Sequence, residues 1–90
     1  MKSIYKYAIP ITDTQTIDLP RKARILSVAN QRGFLCLYVI LDNTERTEQR
    51  VITIAGTGNP LGFDEEEGSK RFIGTVVIEP LVWHVFEELM

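Results

Sequence analysis

The chain contains few of the residues on which metal and covalent chemistry depend. Its 90 residues include one cysteine, Cys36, and one histidine, His84. A single cysteine excludes a disulfide within the chain, and one cysteine with one histidine cannot form a four-ligand zinc site of nitrogen and sulfur donors. We therefore expect neither a metal nor another cofactor.

Positive charge and long apolar runs are also scarce. Ten Lys and Arg residues stand against twelve Asp and Glu residues, so the net charge is −2. Proteins that bind nucleic acid usually carry a basic surplus, and its absence argues against a nucleic-acid partner. No apolar run reaches the roughly 18 residues of a membrane-spanning helix, and the first residues do not follow the signal-peptide pattern. We expect a cytoplasmic protein that binds no membrane.

What the sequence does contain is an apolar pattern with a period of two residues, which is typical of β-strands. With 44% hydrophobic and 24% charged residues, the chain has the composition of one soluble domain, which we place over residues 1–90. The sequence predicts an all-β fold, a small antiparallel β-sandwich or partly open barrel of about six to seven short strands. The predicted strands cover residues 4–9, 16–19, 23–29, 34–41, 49–55, 72–78 and 81–87.

Three features of the sequence also indicate topology. Every residue of Phe34–Leu41 is apolar, which indicates a central strand that is covered on both faces. The residues before it, Asn30 to Gly33, can form a short hairpin loop with Gly33 at a positive φ. Pro10 follows the first strand, which indicates that this strand lies at a sheet edge or ends there.

The segment 56–60, Gly-Thr-Gly-Asn-Pro, is the most suggestive motif. Gly56 and Gly58 would let backbone N–H groups approach a ligand or form a nest for an anion, and Thr57 and Asn59 add a hydroxyl and an amide. The segment is not a P-loop, because no Gly-Lys-Ser/Thr follows, and it is not a dinucleotide fingerprint, because no helix follows. The alternative is a tight turn at the end of a strand.

His84 is the second candidate position. Alternation places Trp83 and Val85 on one face of the last strand, and His84 and Phe86 on the other. A histidine can act as a general base near neutral pH, but it needs a partner, and a pair with Cys36 is one conceivable arrangement. A packed or hydrogen-bonded structural histidine is the alternative. We expect no catalytic residue, and the candidate ligand-binding residues are Gly56, Thr57, Gly58, Asn59 and His84.

Two further features concern surfaces. Residues 64–67 are all acidic; carboxylates could hold Mg²⁺ or Ca²⁺, but no EF-hand spacing is present, so we expect an exposed loop. Residues 34–41, 72–78 and 81–86 contain few polar interruptions. A domain of this size has a limited interior, so we expect some of these residues to form a surface for self-association, most often with two-fold symmetry.

Several short motifs, taken in their order and spacing, resemble a known family. The motifs are Lys6-Tyr7, Pro10 to Asp13, Gln15 to Ile17, Pro20 with Ala23, Ile25 to Val28, Gly56 to Gly58 with Pro60, Phe72 to Thr75, and His84 to Glu87. With them the chain resembles short hypothetical proteins of bacteriophage and prophage genomes that carry a domain of unknown function. The resemblance implies a phage-associated accessory protein in the bacterial host cytoplasm. Asn59 stands where similar sequences often have histidine, which argues further against an enzyme.

The sequence therefore predicts a non-enzymatic, phage-associated accessory protein that binds a host or phage protein and self-associates. The alternative is a small-molecule binder, for example a sponge for a nucleotide signal of antiphage defence, which would use the Gly56–Pro60 loop. An enzyme that uses His84 or the acidic run, and a structural component of a virion, are two further alternatives.

Overall fold

The structure, a computed structural model, describes residues 1–89 and contains two antiparallel β-sheets. The predicted all-β fold is confirmed. Its physical basis is the period-two pattern, which places alternate side chains on opposite faces of each strand. Met90, the last residue of the predicted domain, lies outside the described residues. The strands are β1 (Ser3–Ile9), β2 (Thr14–Pro20), β3 (Arg24–Gln31), β4 (Phe34–Leu41), β5 (Thr47–Gly56), β6 (Lys70–Ile78) and β7 (Leu81–Glu88).

The strands are ordered β1-β4-β3 in a three-stranded sheet and β2-β5-β7-β6 in a four-stranded sheet. The central position predicted for β4 and the edge position predicted for β1 are both confirmed. β2 and β5 are longer than the sequence predicts. The polar residue Thr14 pairs with Thr53, and Pro20 pairs with Thr47, so the ladder between these strands continues through residues that read as turn.

The core lies between the inner faces of the two sheets, where the apolar side chains of alternate residues meet. In β4 the inner residues Leu35, Leu37 and Val39 are at most 1% exposed. Ile52 and Val85 face them from the four-stranded sheet and are fully buried. Burial of such side chains is the main favourable contribution to folding.

The outer face of β4 is covered unevenly, which corrects the expectation that both faces are fully covered. Cys36 is buried as predicted, with 1% exposure. It lies between Ala8 of β1 and Ala29 of β3 in the pairing register. Phe34, at the start of the same face, is 66% exposed. The outer face therefore has a filled centre and an open end.

The predicted hairpin between β3 and β4 is confirmed. Arg32 and Gly33 are its two loop residues and have φ angles of 54° and 88°. Two consecutive positive φ angles match the right-handed twist of the flanking strands. The side-chain oxygen of Asn30 accepts a hydrogen bond of 2.7 Å from the Gly33 amide, which holds the turn.

On one side of the domain the two sheets meet, at β3 and β6. The Asn30 side chain donates to the backbone oxygen of Val77 over 3.0 Å. A Cβ atom added to Gly74 of β6 would lie 3.0 Å from a methyl group of Val28 in β3, so a glycine permits this close approach. Both strands shift register in their own sheets, after Ile25 and after Phe72. Such bulges bend strands toward a neighbour. The structure is thus a sandwich closed along one side, without a closed barrel.

A buried ion cluster ties the sheets together next to this contact. Glu87 of β7 is 3% exposed. Arg50 Nε donates to its Oε2 over 2.5 Å, and Arg71 Nη2 donates to its Oε1 over 3.2 Å. The same guanidinium groups donate to backbone oxygens across the sheets, Arg50 to Ala23 and Arg71 to Ile25, each over 2.9 Å. The carboxylate therefore fixes two arginines that bridge the layers.

Aspartate side chains organise two of the exposed loops. Asp42 accepts from the hydroxyl of Thr44 over 2.6 Å and from its amide over 3.0 Å. These two bonds hold the pKa of the Asp42 carboxyl below its ordinary value, because they favour the charged form. Asp64 accepts from the Glu66 amide and caps a single 3₁₀ turn, Glu65–Glu67. This acidic run is exposed, as predicted. No helix in the described part of the chain is long and apolar enough to cross a membrane.

Candidate functional site

The predicted glycine motif lies where β5 leaves the four-stranded sheet. Gly56 is the last residue of the strand. The Thr57 amide donates to the backbone oxygen of Val82, and the Asn59 amide donates to that of Gly56, each over 3.1 Å. Gly58 has a φ of 89°, which lies in a region of backbone conformation that residues other than glycine rarely adopt. The segment is therefore a tight turn whose backbone amides already have partners at two positions.

His84 contacts this turn, so the structure brings it together with the other candidate ligand-binding residues. Its Nε2 lies 2.7 Å from the hydroxyl of Thr57, and its Nδ1 lies 2.9 Å from the hydroxyl of Thr75. A neutral imidazole has one donor and one acceptor nitrogen, and a hydroxyl can serve either. Both ring nitrogens are thus occupied. This is the hydrogen-bonded structural histidine that the sequence left open as an alternative.

Gly56 and Asn59 form a second contact, on the side of Trp83. A Cβ atom at position 56 would lie 2.8 Å from the side-chain nitrogen Nδ2 of Asn59 and 3.1 Å from Cζ3 of Trp83. Only glycine lets the asparagine side chain and the indole approach the strand this closely. The structure therefore brings the predicted residues together in two neighbouring contacts, Thr57 with His84 and Gly56 with Asn59.

A cavity of about 350 Å³ lies beside the second contact. Its walls come from the start of β2, the end of β5 and the loop after it. This size is at the lower end of the range for small-molecule sites. The cavity is lined by one negative and one positive side chain, Asp13 and Lys70, and by two aromatic side chains, Phe63 and Trp83. The lining residues are Asp13, Thr14, Thr53, Ile54, Ala55, Gly56, Asn59, Pro60, Gly62, Phe63, Lys70 and Trp83.

One wall of the cavity holds a hydroxyl without a partner. The side-chain oxygen of Thr53 is buried and makes no hydrogen bond. A buried polar atom without a partner costs about 1–3 kcal/mol, so most such atoms in native proteins are satisfied. This hydroxyl is a polar group of the cavity wall that has no hydrogen-bond partner within the protein.

An aromatic cluster supports the loop over the outer face of the four-stranded sheet. The ring of Phe63 packs edge-on against Phe86, with centroids 5.1 Å apart, and Phe72 lies 5.3 Å from the same ring. The ammonium of Lys70 lies 5.2 Å from the centre of the Phe63 ring and 3.8 Å from Glu88. These contacts hold Phe63 at the cavity wall, a position that sequence spacing does not reveal.

The structure separates other groups that the sequence singled out. Cys36 and His84 cannot form a pair, because they lie in different sheets, on faces that point away from each other. In residues 1–89, no three His, Cys, Asp or Glu side chains form an arrangement that could hold a metal ion. The acidic residues 64–67 accordingly do not form such a group.

Comparison with known proteins gives one match. Residues 1–89 match a family described as "Domain of unknown function (DUF7352)". No curated protein and no solved structure matches the chain. The expected likeness to a domain of unknown function is thus confirmed, and the bacteriophage or prophage origin stays a prediction.

Proposed function

The chain belongs to this family of unknown function, and we propose that it is a non-enzymatic binding module that acts by contacting a protein partner. Two observations support the absence of a catalytic role. Nδ1 of His84 contacts the hydroxyl of Thr75, whereas the histidine base of a catalytic triad is oriented by a carboxylate at this nitrogen. Cys36, the candidate nucleophile, is buried in the other sheet.

The contact surface that we propose is the outer face of the three-stranded sheet. Ile4 and Phe34 on this face are 61% and 66% exposed, and Leu26, in the bulge of β3, is 39% exposed. Tyr38 and Ile40 continue the apolar surface along the central strand. Ile4, opposite Ile40, and Phe34 lie toward opposite ends of this face, with Tyr38 between them. Exposed apolar side chains on the face of a rigid sheet are typical of protein–protein contacts.

The charge on this face is the observation that carries the proposal. Lys6 and Arg24 are the only charged residues in β1, β3 and β4. Both lie on the outer face, opposite Tyr38 and Ile40 in the pairing register. An apolar surface whose own strands carry only positive charge complements a partner with acidic groups around an apolar centre.

Capture from cells with matched variants tests this proposal. We expect that the Phe34→Asp and Arg24→Glu variants each lose the protein that the unaltered domain retains, while Val77→Asp keeps it. Val77 is a matched control because it is 50% exposed on the other sheet. The retained protein must also bind in a reconstitution from purified components, with an affinity that falls as salt increases. Identical retention by all three variants would contradict the proposed surface.

We further propose that the partner belongs to a bacteriophage or to its bacterial host, and that the contact is made in the host cytoplasm. The support is the resemblance of the chain's motifs to those of phage proteins. Capture should therefore succeed from infected cells and fail from uninfected cells when the partner is a phage protein. Detection of the chain in purified phage particles would instead indicate a structural component of the virion.

The cavity beside Asn59 supports a second candidate function, the binding of a small ligand of the nucleotide class. The specific observation is the unpartnered hydroxyl of Thr53 in a cavity that also presents an amide and two aromatic rings. A nucleobase has a flat face for the rings and polar edges for the amide and the hydroxyl. Lys70 supplies the positive charge that a phosphate group would need.

Calorimetry against a panel of nucleosides and nucleotides tests the second candidate, and Trp83 is a built-in fluorescent reporter because the chain has one tryptophan. We expect Thr53→Val to abolish binding without loss of stability, because it removes an unsatisfied buried hydroxyl. Thr16→Val, at an exposed position of β2, should leave binding unchanged. Absence of heat and of a fluorescence change across the whole panel would exclude this candidate.

A further inference from the structure

The two sheets each leave one edge strand without a neighbour, and these strands lie on the same side of the domain. β3 and β6 meet on the opposite side, so β1 and β2 are the free edges. Residues 10–13 join them directly. The Gln15 side chain donates to the backbone oxygen of Pro10 over 2.7 Å and to the Thr12 hydroxyl over 2.9 Å, which ties this connection to the start of β2.

The contacts of Ile25 with Arg71 and of Asn30 with Val77 show that β3 and β6 run parallel. Because every ladder within the two sheets is antiparallel, β1 and β2 run in opposite directions.

Both free edges are regular enough to accept another strand. β1 and β2 pair with β4 and β5 without a register shift, whereas β3 and β6 each contain a bulge. A regular edge presents a row of unpaired N–H and C=O groups, and natural proteins protect such edges with bulges, prolines or charges. Each free edge has one charged residue within its strand, and the two charges are opposite, Lys6 in β1 and Asp18 in β2.

We propose that a second copy of the chain docks on these edges, so that β1 of each copy pairs antiparallel with β2 of the other. A two-fold axis parallel to the strands, between the two layers, produces this arrangement. The rotation preserves strand direction and moves β1 of one copy into the layer that contains β2 of its partner. Because β1 and β2 run in opposite directions, the new pairs are antiparallel. The result is two continuous sheets that share one core and leave neither edge free.

Side-chain parity and charge select the register of the new pairs. Tyr5 and Tyr7 lie on the inner face of β1, opposite the buried residues Val39 and Leu37. The inner residues of β2 include Ile17 and Leu19. Residues that pair directly must point to the same face. Of the registers that satisfy this condition, one places Lys6 opposite Asp18.

In that register Tyr7 lies opposite Ile17, and Tyr5 lies opposite Leu19. Tyr5 is 41% exposed in the single chain, so pairing would cover apolar surface as well as join the charges. A shift by two residues places Lys6 opposite the uncharged Thr16 and leaves Asp18 opposite Ile4. Opposite charges that face each other across strands stabilise a pair, and like charges destabilise it.

This inference rests on the strand edges and shares one residue, Lys6, with the proposed partner surface, because the Lys6 side chain lies on the outer face of β1. Asp18 lies in the other sheet, so its variant separates the two proposals. Sedimentation velocity of the full chain over a concentration series tests it. We expect a reversible dimer. Lys6→Asp and Asp18→Lys should each raise the dimer Kd by about tenfold or more, because each substitution acts at both symmetry-related pairs. The double variant with both changes should restore the dimer.

Lys22→Asp is the matched control, since it makes the same change of charge at an exposed residue between β2 and β3. It should leave the dimer Kd unchanged. Circular dichroism of every variant checks that the fold is retained. A protein that stays monomeric up to its solubility limit would overturn the inference, and Lys6 and Asp18 would then be charges that protect the edges. A dimer that withstands both single substitutions would also overturn it, because another surface would hold the copies together.

A cysteine pair tests the register itself. Lys6→Cys combined with Asp18→Cys should form disulfide-linked dimers when oxidised glutathione accepts the electrons of the two thiols. Lys6→Cys combined with Thr16→Cys, the pair expected for the shifted register, should form fewer. Cys36 does not interfere, because it is buried. Equal cross-linking of the two pairs would overturn the assigned register.

Discussion

Replacement of Glu87 by glutamine is expected to lower the free energy of unfolding by about 3–5 kcal/mol, because it leaves two arginines without their buried counter-charge. The side chain of Glu87 is 4% exposed, and the side chains of its partners Arg50 and Arg71 are 13% and 40% exposed. Domains of this size have a total stability of roughly 5–15 kcal/mol, so the variant would be close to unfolding. Urea denaturation followed by Trp83 fluorescence measures the effect.

Glu88→Gln is the matched control for this prediction. Glu88 is the next residue, its side chain is 44% exposed, and its contact with Lys70 is a surface pair at 3.8 Å. Such pairs contribute about 0–1 kcal/mol. A loss of stability in Glu87→Gln no larger than that of Glu88→Gln would show that the buried cluster does not hold the sheets together.

Leu37→Ala is expected to destabilise the domain by about 2–5 kcal/mol, the range for a buried leucine that is truncated without collapse of its surroundings. Leu37 is fully buried in the central strand of the three-stranded sheet, and residues of both neighbouring strands pair with it. Removal of its side chain leaves a void between the sheets that a short strand cannot fill by moving. The measurement is the midpoint and slope of the urea transition.

Leu26→Ala provides the comparison within the same sheet. Leu26 lies in the bulge of β3 and is 39% exposed, so its truncation should cost less than about 1 kcal/mol. Similar losses at positions 26 and 37 would mean that the inner and outer faces of this sheet are equally buried in solution. This outcome would contradict the two-layer arrangement of the single chain.

Local patterns were sufficient to predict the fold class, the hairpin between β3 and β4 and the central position of β4, but not the order of the strands. Alternation in β7 assigned Trp83 and His84 to opposite faces, and the structure confirms it through their partners, Val76 and Thr75 in β6 for example. Gly33, in the loop before β4, predicted the hairpin, because a two-residue hairpin loop needs positive φ angles and glycine adopts them without strain. Predictions succeeded where the deciding interaction joins residues close in the chain.

The cavity and the ion cluster could not be predicted, since each assembles residues from distant segments. Thr53 and Phe63 come from different elements, and their neighbour Asp13 precedes both by a long stretch of chain. Glu87 reads as one of two consecutive acidic residues near the end of a strand. Its burial depends on Arg50, which reaches it across paired strands. The sequence contained one signal of this burial. Alternation along β7 places Glu87 on the same face as Val85, so a glutamate stands where an inward-facing apolar residue is expected.

The order of strands within the sheets also determines how the chain can reach this structure. Only β3–β4 and β6–β7 join strands that are consecutive in the chain, whereas β1 must find β4 and β2 must find β5. Hairpins form within about 1–10 μs, but all-β domains dominated by distant pairings fold in about milliseconds to seconds. The two hairpins are therefore the fast local units. The slow step is the set of distant pairings, in which β1 finds β4, β5 finds β7 and β2 finds β5. Until it ends, the edges of β4 and β5 are open to other chains.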